Sequence, residues 1–315
     1  MRTPITLALA ALASASCQST GGAPAPAAAG EAYAKTVSRS EVTSPAPARP
    51  DGWDEYWYAG LAEVNAYDLT QVRYGEARRG EAVLVFVTEP FLAESQVKDD
   101  GRPTDEESVS VLKLNRLHRF TTGIYDYSLM LSAFTPVSRD RFPHTLKTAL
   151  SAQDWCGHSW FQLNHAGGDA YDAQRRSYFQ AEADADRELS GVDLLEDELP
   201  ALVRLDPALV PTGELRVVPG AMFSSLQHVM PEPRTATLAT QRAGGTIVVT
   251  IAYADLGREL AYTFDADFPY VLRSWRETAG GELLSGGTLR ATRRSAYWGE
   301  NATRFAPLRD TLGLQ

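Results

Sequence analysis

A cysteine, a histidine and an aspartate lie within five residues of one another and could form a thiol-based catalytic site. Cys156 has Asp154 two residues before it and His158 two residues after it. A nucleophilic cysteine needs a base that holds its thiolate and a third group that orients the base. One hypothesis is therefore a periplasmic enzyme that uses Cys156 as nucleophile and His158 as base.

The spacing of these residues equally supports a structural role. In an extended strand, positions 154, 156 and 158 share one face but stand about 6.5–7 Å apart at each step, beyond hydrogen-bond reach. Only a tight turn at Gly157 would close that distance. A metal site is weaker still, because His158, His165 and Asp154 lack the close pairing of zinc ligands. We therefore favour a structural, half-buried cysteine and expect no metal.

Two aromatic side chains and an amide in the same stretch are candidates for ligand binding. Trp155 and Trp160 are two of the six tryptophans, and Gln162 follows them closely. Aromatic faces with amides between them suit a small-ligand or glycan pocket. The same residues also suit a sheet corner, where amides satisfy buried backbone groups. Both interpretations stay open at this point.

The first 17 residues have the layout of a secretory signal. Arg2 precedes an apolar run over residues 5–13, and small residues then lead into Cys17. The run is too short for a transmembrane helix. The sequence predicts a lipoprotein signal peptide over residues 1–17, with lipidated Cys17 as the membrane anchor. The alternative is cleavage after Ala15, which would give a soluble periplasmic or secreted protein.

The composition beyond the leader separates a linker from a folded domain. Residues 18–50 are rich in Ala, Pro, Gly and Ser and predict a disordered linker. Residues 51–315 are predicted to form a mainly β domain, with a division into two sub-domains near 190–212 as an alternative. Gln18 after Cys17 fits release to the outer membrane, so we expect a cell-envelope protein there that faces the periplasm.

Charge and missing motifs exclude several function classes. The formal net charge is −10 and the pI is near 5.1, which argues against a nucleic-acid partner. The sequence contains no G-x-S-x-G elbow, no P-loop, and no G-x-G-x-x-G after a strand. We therefore expect no cofactor.

Short apolar stretches separated by turn residues predict strands along most of the folded part. Ala62–Arg73 and Glu81–Glu89 are predicted strands, and the apolar run EAVLVFVTE of the second predicts burial on both faces. Six further strands are predicted after residue 213, Thr246–Tyr253 among them, with Gly244-Gly245, Gly280-Gly281 and Gly286-Gly287 as turn formers.

Helical signals are few, which sets the predicted fold class. Val192–Leu205 has helical apolar spacing, and Pro200 is expected to kink or split it. Ser177–Asp186 is consistent with a strand or a short helix. The aromatic run that starts at Trp53 is expected to be core. The chain is thus predicted to be mainly β, a strongly curved antiparallel sheet or open β-barrel with one or two short helices.

Three stretches resemble a group of bacterial lipoproteins, mainly from Bacteroidetes, whose members carry the label "septum formation inhibitor Maf". They are WDEYWYAG (Trp53–Gly60), GEAVLVFVTEPF (Gly80–Phe91) and QDWCGHSW (Gln153–Trp160). The resemblance implies an envelope lipoprotein and no particular activity. True Maf proteins are cytoplasmic α/β nucleotide pyrophosphatases that begin with L-A-S-x-S-P-R-R. Here Cys17 and Gln18 replace the proline and the first arginine.

A second resemblance concerns the predicted fold. Tyr262–Arg273 and the meander around it are similar to bacterial envelope domains with a curved sheet, such as the domain-of-unknown-function 3108 (DUF3108) group and lipoprotein carriers. The leading hypothesis is therefore a non-enzymatic envelope lipoprotein that binds an apolar or amphipathic ligand, or a protein partner, on the concave face of a curved sheet. A cysteine-dependent enzyme is the alternative, and a Maf-like nucleoside triphosphate pyrophosphatase is a remote one.

Overall fold

The computed structural model describes residues 49–314 of the 315-residue chain. The predicted signal peptide, its Cys17 and all but the last two residues of the predicted linker lie outside the described residues. Three short α-helices are described: α1 (Trp53–Trp57), α2 (Leu199–Leu205) and α3 (Ala221–Leu226). The strands are β1 (Ala62–Arg73), β2 (Glu76–Leu92), β3 (Val97–Lys98), β4 (Ser108–Thr122), β5 (Tyr125–Pro136), β6 (Lys147–Gln153), β7 (His158–Gly167), β8 (Ala170–Ser177), β9 (Ala185–Leu189), β10 (Leu194–Leu195), β11 (Gly213–Val218), β12 (Arg234–Ala243), β13 (Thr246–Tyr253), β14 (Arg258–Asp265), β15 (Leu272–Ala279) and β16 (Glu282–Ser295).

These strands form one curved sheet. It consists of a first run, strands β1–β9, and a second run, strands β10–β16. The spatial order is β10-β11-β12-β13-β14-β15-β16-β1-β2-β4-β5-β6-β7-β8-β9, with β3 paired to β2 alone. The antiparallel pairing of β16 with β1, from Ala62 opposite Ser295 to Gln71 opposite Ser285, joins the two runs. Strands β9 and β10 end the order, so the sheet is not closed. The prediction of a mainly β, strongly curved and open sheet is confirmed.

Local sequence explains the meander of the second run. Strand β13, TIVVTIAY, alternates buried and half-buried side chains along its whole length, as a strand with one face on the core must. Gly244 and Gly245 have φ values of 58° and 79° in the β12–β13 hairpin. Two consecutive left-handed residues are what a two-residue hairpin turn requires, and glycine adopts them without strain.

Gly286 and Gly287 are not turn formers, contrary to the prediction, because both lie inside β16. Gly287 is paired with Trp275 of β15. A β-carbon built on Gly287 would lie 2.1 Å from Cη2 of the Trp275 indole. The glycine is therefore needed to make room for a buried ring, a recognised use of glycine within strands.

The inner face of the sheet carries the main hydrophobic core and encloses a segment of the chain. We define the inner segment as residues 194–226, which contain α2 and α3. Leu199, Leu202 and Val203 of α2 are fully buried in the same cluster as side chains from both strand runs. Each contributes roughly 1.5–3 kcal/mol by burial. A segment that touches strands across the whole sheet requires the sheet to curve around it.

The inner segment differs from the predicted helix over Val192–Leu205. Its first residues form strand β10, then a 3₁₀ turn over Glu196–Glu198, and the α-helix begins only at Leu199. Pro200 falls in the first turn of α2 and does not kink it. The first-turn N–H groups of a helix have no intrahelical acceptor, so a proline costs nothing there.

Candidate functional site

The three residues of the hypothetical thiol site lie at the β6–β7 hairpin. The backbone N–H of Asp154 donates to the carbonyl of Gly157 at 3.0 Å, which closes a tight turn. Oδ1 of Asp154 accepts the backbone N–H groups of Cys156 at 2.7 Å and of Gly157 at 3.2 Å. Asp154 therefore builds the loop, as aspartate commonly does in turns.

Cys156 and His158 are both exposed, and the cysteine is a free thiol. Within residues 49–314, no hydrogen bond joins this thiol to His158. The carboxylate that would orient a catalytic base is engaged with the loop backbone. Cysteine-dependent catalysis stays a prediction that these contacts do not support. In the same part of the chain there is no group of three or more His, Cys, Asp or Glu side chains that could hold a metal ion.

The candidate binding residues of β7 lie on the outer face of the sheet. Phe161 and Leu163 point into the main core. Because side chains alternate along a strand, His158, Trp160 and Gln162 project to the opposite face. Trp160 and Gln162 are half-buried there.

Neither the amide contacts of Gln162 nor the side chain of Trp155 encloses a pocket. Nε2 of Gln162 donates to Oδ1 of Asn164 at 2.5 Å, and Asn164 in turn donates to Oε1 of Gln96 at 2.8 Å. Trp155 is 70% exposed at the tip of the hairpin. The structure therefore brings His158, Trp160 and Gln162 to one face and leaves Trp155 at the loop.

A cavity of about 410 Å³ lies on the same outer face, nearer the middle of the sheet. It separates strands β1, β2, β4 and β5 from the C-terminal segment, which we define as residues 297–314. We call this cavity the outer groove. Its floor consists mainly of outward-facing apolar side chains, namely Val64, Val83, Val85, Leu117 and Met130.

The roof of the outer groove comes from the C-terminal segment, which forms 3₁₀ turns over Tyr297–Gly299 and Thr303–Leu312. Leu312 is buried against Val64 and Val85 in a second hydrophobic cluster, separate from the main core. The roof side chains that line the groove are Tyr297, Phe305, Leu308, Leu312 and Leu314. The prediction that Glu81–Glu89 is buried on both faces is thus confirmed over residues 84–89, and the covered outward valines explain it.

Strand register connects the outer groove with Trp160. Met130 of β5 is paired with Leu117 of β4 on one side and with Ser151 of β6 on the other. Ser151 is paired with Trp160 of β7. Trp160 therefore stands in the same row as two groove residues, two strands or about 10 Å from Met130. Met130 is 41% exposed, so the apolar face continues beyond the roof.

Charged side chains line the groove unevenly. Glu81 accepts from Arg290 at 3.1 Å, and Glu300 accepts from Arg293 at 2.9 Å. Both acids of the lining are therefore paired with a cation. Arg119 lines the groove, and its side chain takes part in no ion pair or hydrogen bond within residues 49–314.

The concave face offers no comparable space, because the inner segment fills it with paired charges. Arg258 donates to both carboxylate oxygens of Glu196, at 2.6 and 2.7 Å, and to Glu277 at 2.7 Å. Arg204 donates to both oxygens of Glu63, at 2.7 and 2.5 Å. Burial alone would raise the pKa of Glu63, but the Arg204 guanidinium and its hydrogen bonds bring that pKa below its ordinary value. Arg204 and Glu196 thus join the inner segment to β1 and β14.

Sequence reasoning did not identify the groove residues. The available signal was strand β2, whose outward Val83 and Val85 needed a covering element on the solvent side. The apolar positions of the C-terminal segment, Phe305, Leu308 and Leu312, could have supplied that element. Only the pairing of β16 with β1 places this segment over β2 and β4, and no local pattern encodes that pairing.

The described residues define a mainly β protein with one large, curved and open sheet. No family of known proteins matches the sequence, and no curated protein matches it. A solved structure that it resembles is the crystal structure of a beta-barrel-like protein of domain of unknown function DUF1849 from Brucella abortus, at 11% sequence identity and a TM-score of 0.43. The alignment covers 74% of this chain and 97% of that chain. None of the helices within residues 49–314 has the length and apolar content needed to cross a bilayer.

Proposed function

We propose that this chain is a non-enzymatic cell-envelope protein that binds an apolar or amphipathic ligand in the outer groove. The observation that carries this proposal is the cavity of about 410 Å³ between the sheet and the C-terminal segment. Ligand sites commonly measure about 300–1,000 Å³ and combine apolar walls with a few polar groups. The groove has that size and that kind of lining.

The outer groove replaces the concave face as the proposed binding surface. On the concave side, Leu199, Leu202 and Val203 occupy the interior and leave an apolar ligand no place to enter. On the outer side, the floor residue Met130 is in contact with solvent. A ligand can therefore reach the groove without displacing the core.

Titration with the uncharged fluorescent probe N-phenyl-1-naphthylamine tests this proposal. We expect saturable binding with increased fluorescence, and Leu308→Asp should weaken it by about tenfold or more because a carboxylate would face the apolar floor. Ile124→Asp is the matched control, since Ile124 is an 83% exposed side chain in the β4–β5 turn, away from the groove. Equal binding by the wild type and Leu308→Asp, with unchanged circular dichroism, would place the site elsewhere or remove it.

The proposal includes a lipid anchor on Cys17 and an outer-membrane location that faces the periplasm. Its support is the leader sequence and the residues before Cys17. Acyl chains on Cys17 would hold the folded domain near the membrane through the linker. We expect Cys17→Ser, or treatment with globomycin, to move the protein out of the membrane fraction. Unchanged fractionation would favour a soluble periplasmic or secreted protein.

A further inference from the structure

The charges around the outer groove indicate the chemical class of its ligand. Resting on the ligand-binding function proposed above, we infer that the groove takes a single-chain amphiphile with a carboxylate head, and that Arg119 binds this head. The chain of the ligand would lie on the apolar floor beneath Leu308.

The charge balance of the lining gives the first reason. Its charged side chains are three arginines and two glutamates. Glu81 is compensated by Arg290, which also donates to Asp68. Glu300 accepts from Ser295 at 2.6 Å as well as from Arg293. Both lining acids are satisfied, and the guanidinium of Arg119 keeps all of its donors available for an anion. This local excess of positive charge contrasts with the net charge of −10 of the whole chain.

The position of Arg119 gives the second reason. On β4 it is paired with Glu81 of β2 and Ser128 of β5, so it projects from the outer face at one end of the groove. Leu117 is two residues away on the same face, about 7 Å along the strand. A molecule with its head at Arg119 would therefore place its chain over Leu117 and Val83, where the floor is apolar.

Arg293 is a second cation of the lining, and it fits an anion less well. Its Nε is buried and has no hydrogen-bond partner among the described residues. Its charge, however, is already compensated by Glu300 at 2.9 Å. A carboxylate placed there would meet the Glu300 carboxylate, and like charges repel at that distance. Arg119 also has an acid beside it, Glu81 directly opposite on β2, but that carboxylate is compensated by Arg290. The guanidinium of Arg119 itself has no ion-pair partner within residues 49–314, and its planar fork of donors suits bidentate binding of a carboxylate.

A displacement experiment tests the inference on the full protein. Dodecanoate and its uncharged analogue dodecanol compete with bound N-phenyl-1-naphthylamine, for the wild type and for Arg119→Gln. We expect the wild type to prefer dodecanoate by about tenfold, and Arg119→Gln to lose that preference while its affinity for dodecanol stays within about twofold. Arg119→Lys should keep part of the preference, because it keeps the charge without the fork.

Arg79→Gln is the matched control. Arg79 is an exposed arginine two residues from Glu81 on the same face of β2, and it does not line the groove. We expect it to leave the preference for dodecanoate unchanged. If dodecanoate and dodecanol bind the wild type equally, the inferred head group is overturned while ligand binding stands. If the preference survives Arg119→Gln, the role of Arg119 is overturned, and if the probe itself does not bind, the proposed function fails.

Discussion

At the scale of single residues, the contact between Trp275 and Gly287 shows how one missing side chain determines local packing. The Trp275 ring stacks on His118 with centroids 5.5 Å apart and donates from Nε1 to Ser285 at 3.3 Å. The edge of the ring formed by Cη2, Cζ2 and Cζ3 lies against Gly287. The indole is thus surrounded by buried groups, and it has little freedom to move.

Substitution of the two adjacent glycines should separate this effect from glycine's general cost in a strand. Gly287→Ala places a methyl group where the indole lies, and we expect a loss of about 1–3 kcal/mol in the free energy of unfolding from overpacking. Gly286→Ala should change that free energy by less than about 0.5 kcal/mol, because its β-carbon would meet only ordinary contacts of 3.5 Å or more. Urea unfolding measures both. If both variants lose the same free energy of unfolding, the Trp275 ring moves to make room for the methyl group and the inferred overpacking is wrong.

The residue scale also marks the limit of what sequence could predict about the site. The tight turn at Gly157, which the thiol hypothesis required, is present, because glycine and aspartate act through local geometry. The availability of Arg119 could not be predicted. The acid opposite Arg119 is Glu81, and Glu81 is engaged by Arg290. Arg290 and Glu81 lie far apart in the sequence and meet only across strands β16, β1 and β2.

At the scale of elements, the bounds predicted for β1 and for Thr246–Tyr253 agree with the structure. Strand β13 alternates buried and half-buried side chains, which is a local signal with a period of two residues. The first six residues of β1 are all buried, because its outer face is covered as well as its inner face. In both cases turn residues follow immediately, and they mark the end of the strand.

Elements whose environment comes from distant strands were predicted less well. In Val192–Leu205 the apolar residues are spaced for a helix, but the first of them pair in parallel with β11 as strand β10. In Ser177–Asp186, the structure has the end of β8, a turn and the start of β9. The C-terminal segment was not predicted at all. Its regular structure depends on the outward valines that it covers.

At the scale of the whole molecule, the inner segment connects the two strand runs. Glu196 is bound by Arg258 of β14, in the second run. Glu198 accepts from Thr145 at 2.5 Å, just before β6 of the first run. Arg204 reaches Glu63 of β1, where the runs meet. Since one hydrophobic cluster includes residues of both runs and of this segment, we expect the two runs to depend on each other for stability.

Removal of one of these buried ion pairs should therefore destabilise the whole folded domain. Arg204→Ala leaves the Glu63 carboxylate buried without its partner, and we expect a loss of about 3–5 kcal/mol in the free energy of unfolding. Far-ultraviolet circular dichroism reports on the whole sheet. Tryptophan fluorescence reports on the surroundings of the six tryptophans, four before residue 161 and two after residue 274. In a single cooperative transition, the two curves would shift together to lower urea and stay superimposed.

The control and the contrary outcome address the division into two sub-domains near 190–212. Arg187→Ala removes an exposed ion pair with Glu232, 3.0 Å long, and should cost less than about 1 kcal/mol. If Arg204→Ala instead separates the two curves into distinct transitions, the strand runs fold independently and the sub-domain prediction holds. We expect superposition, because the inner segment that lies between the runs in sequence is enclosed by both of them in space.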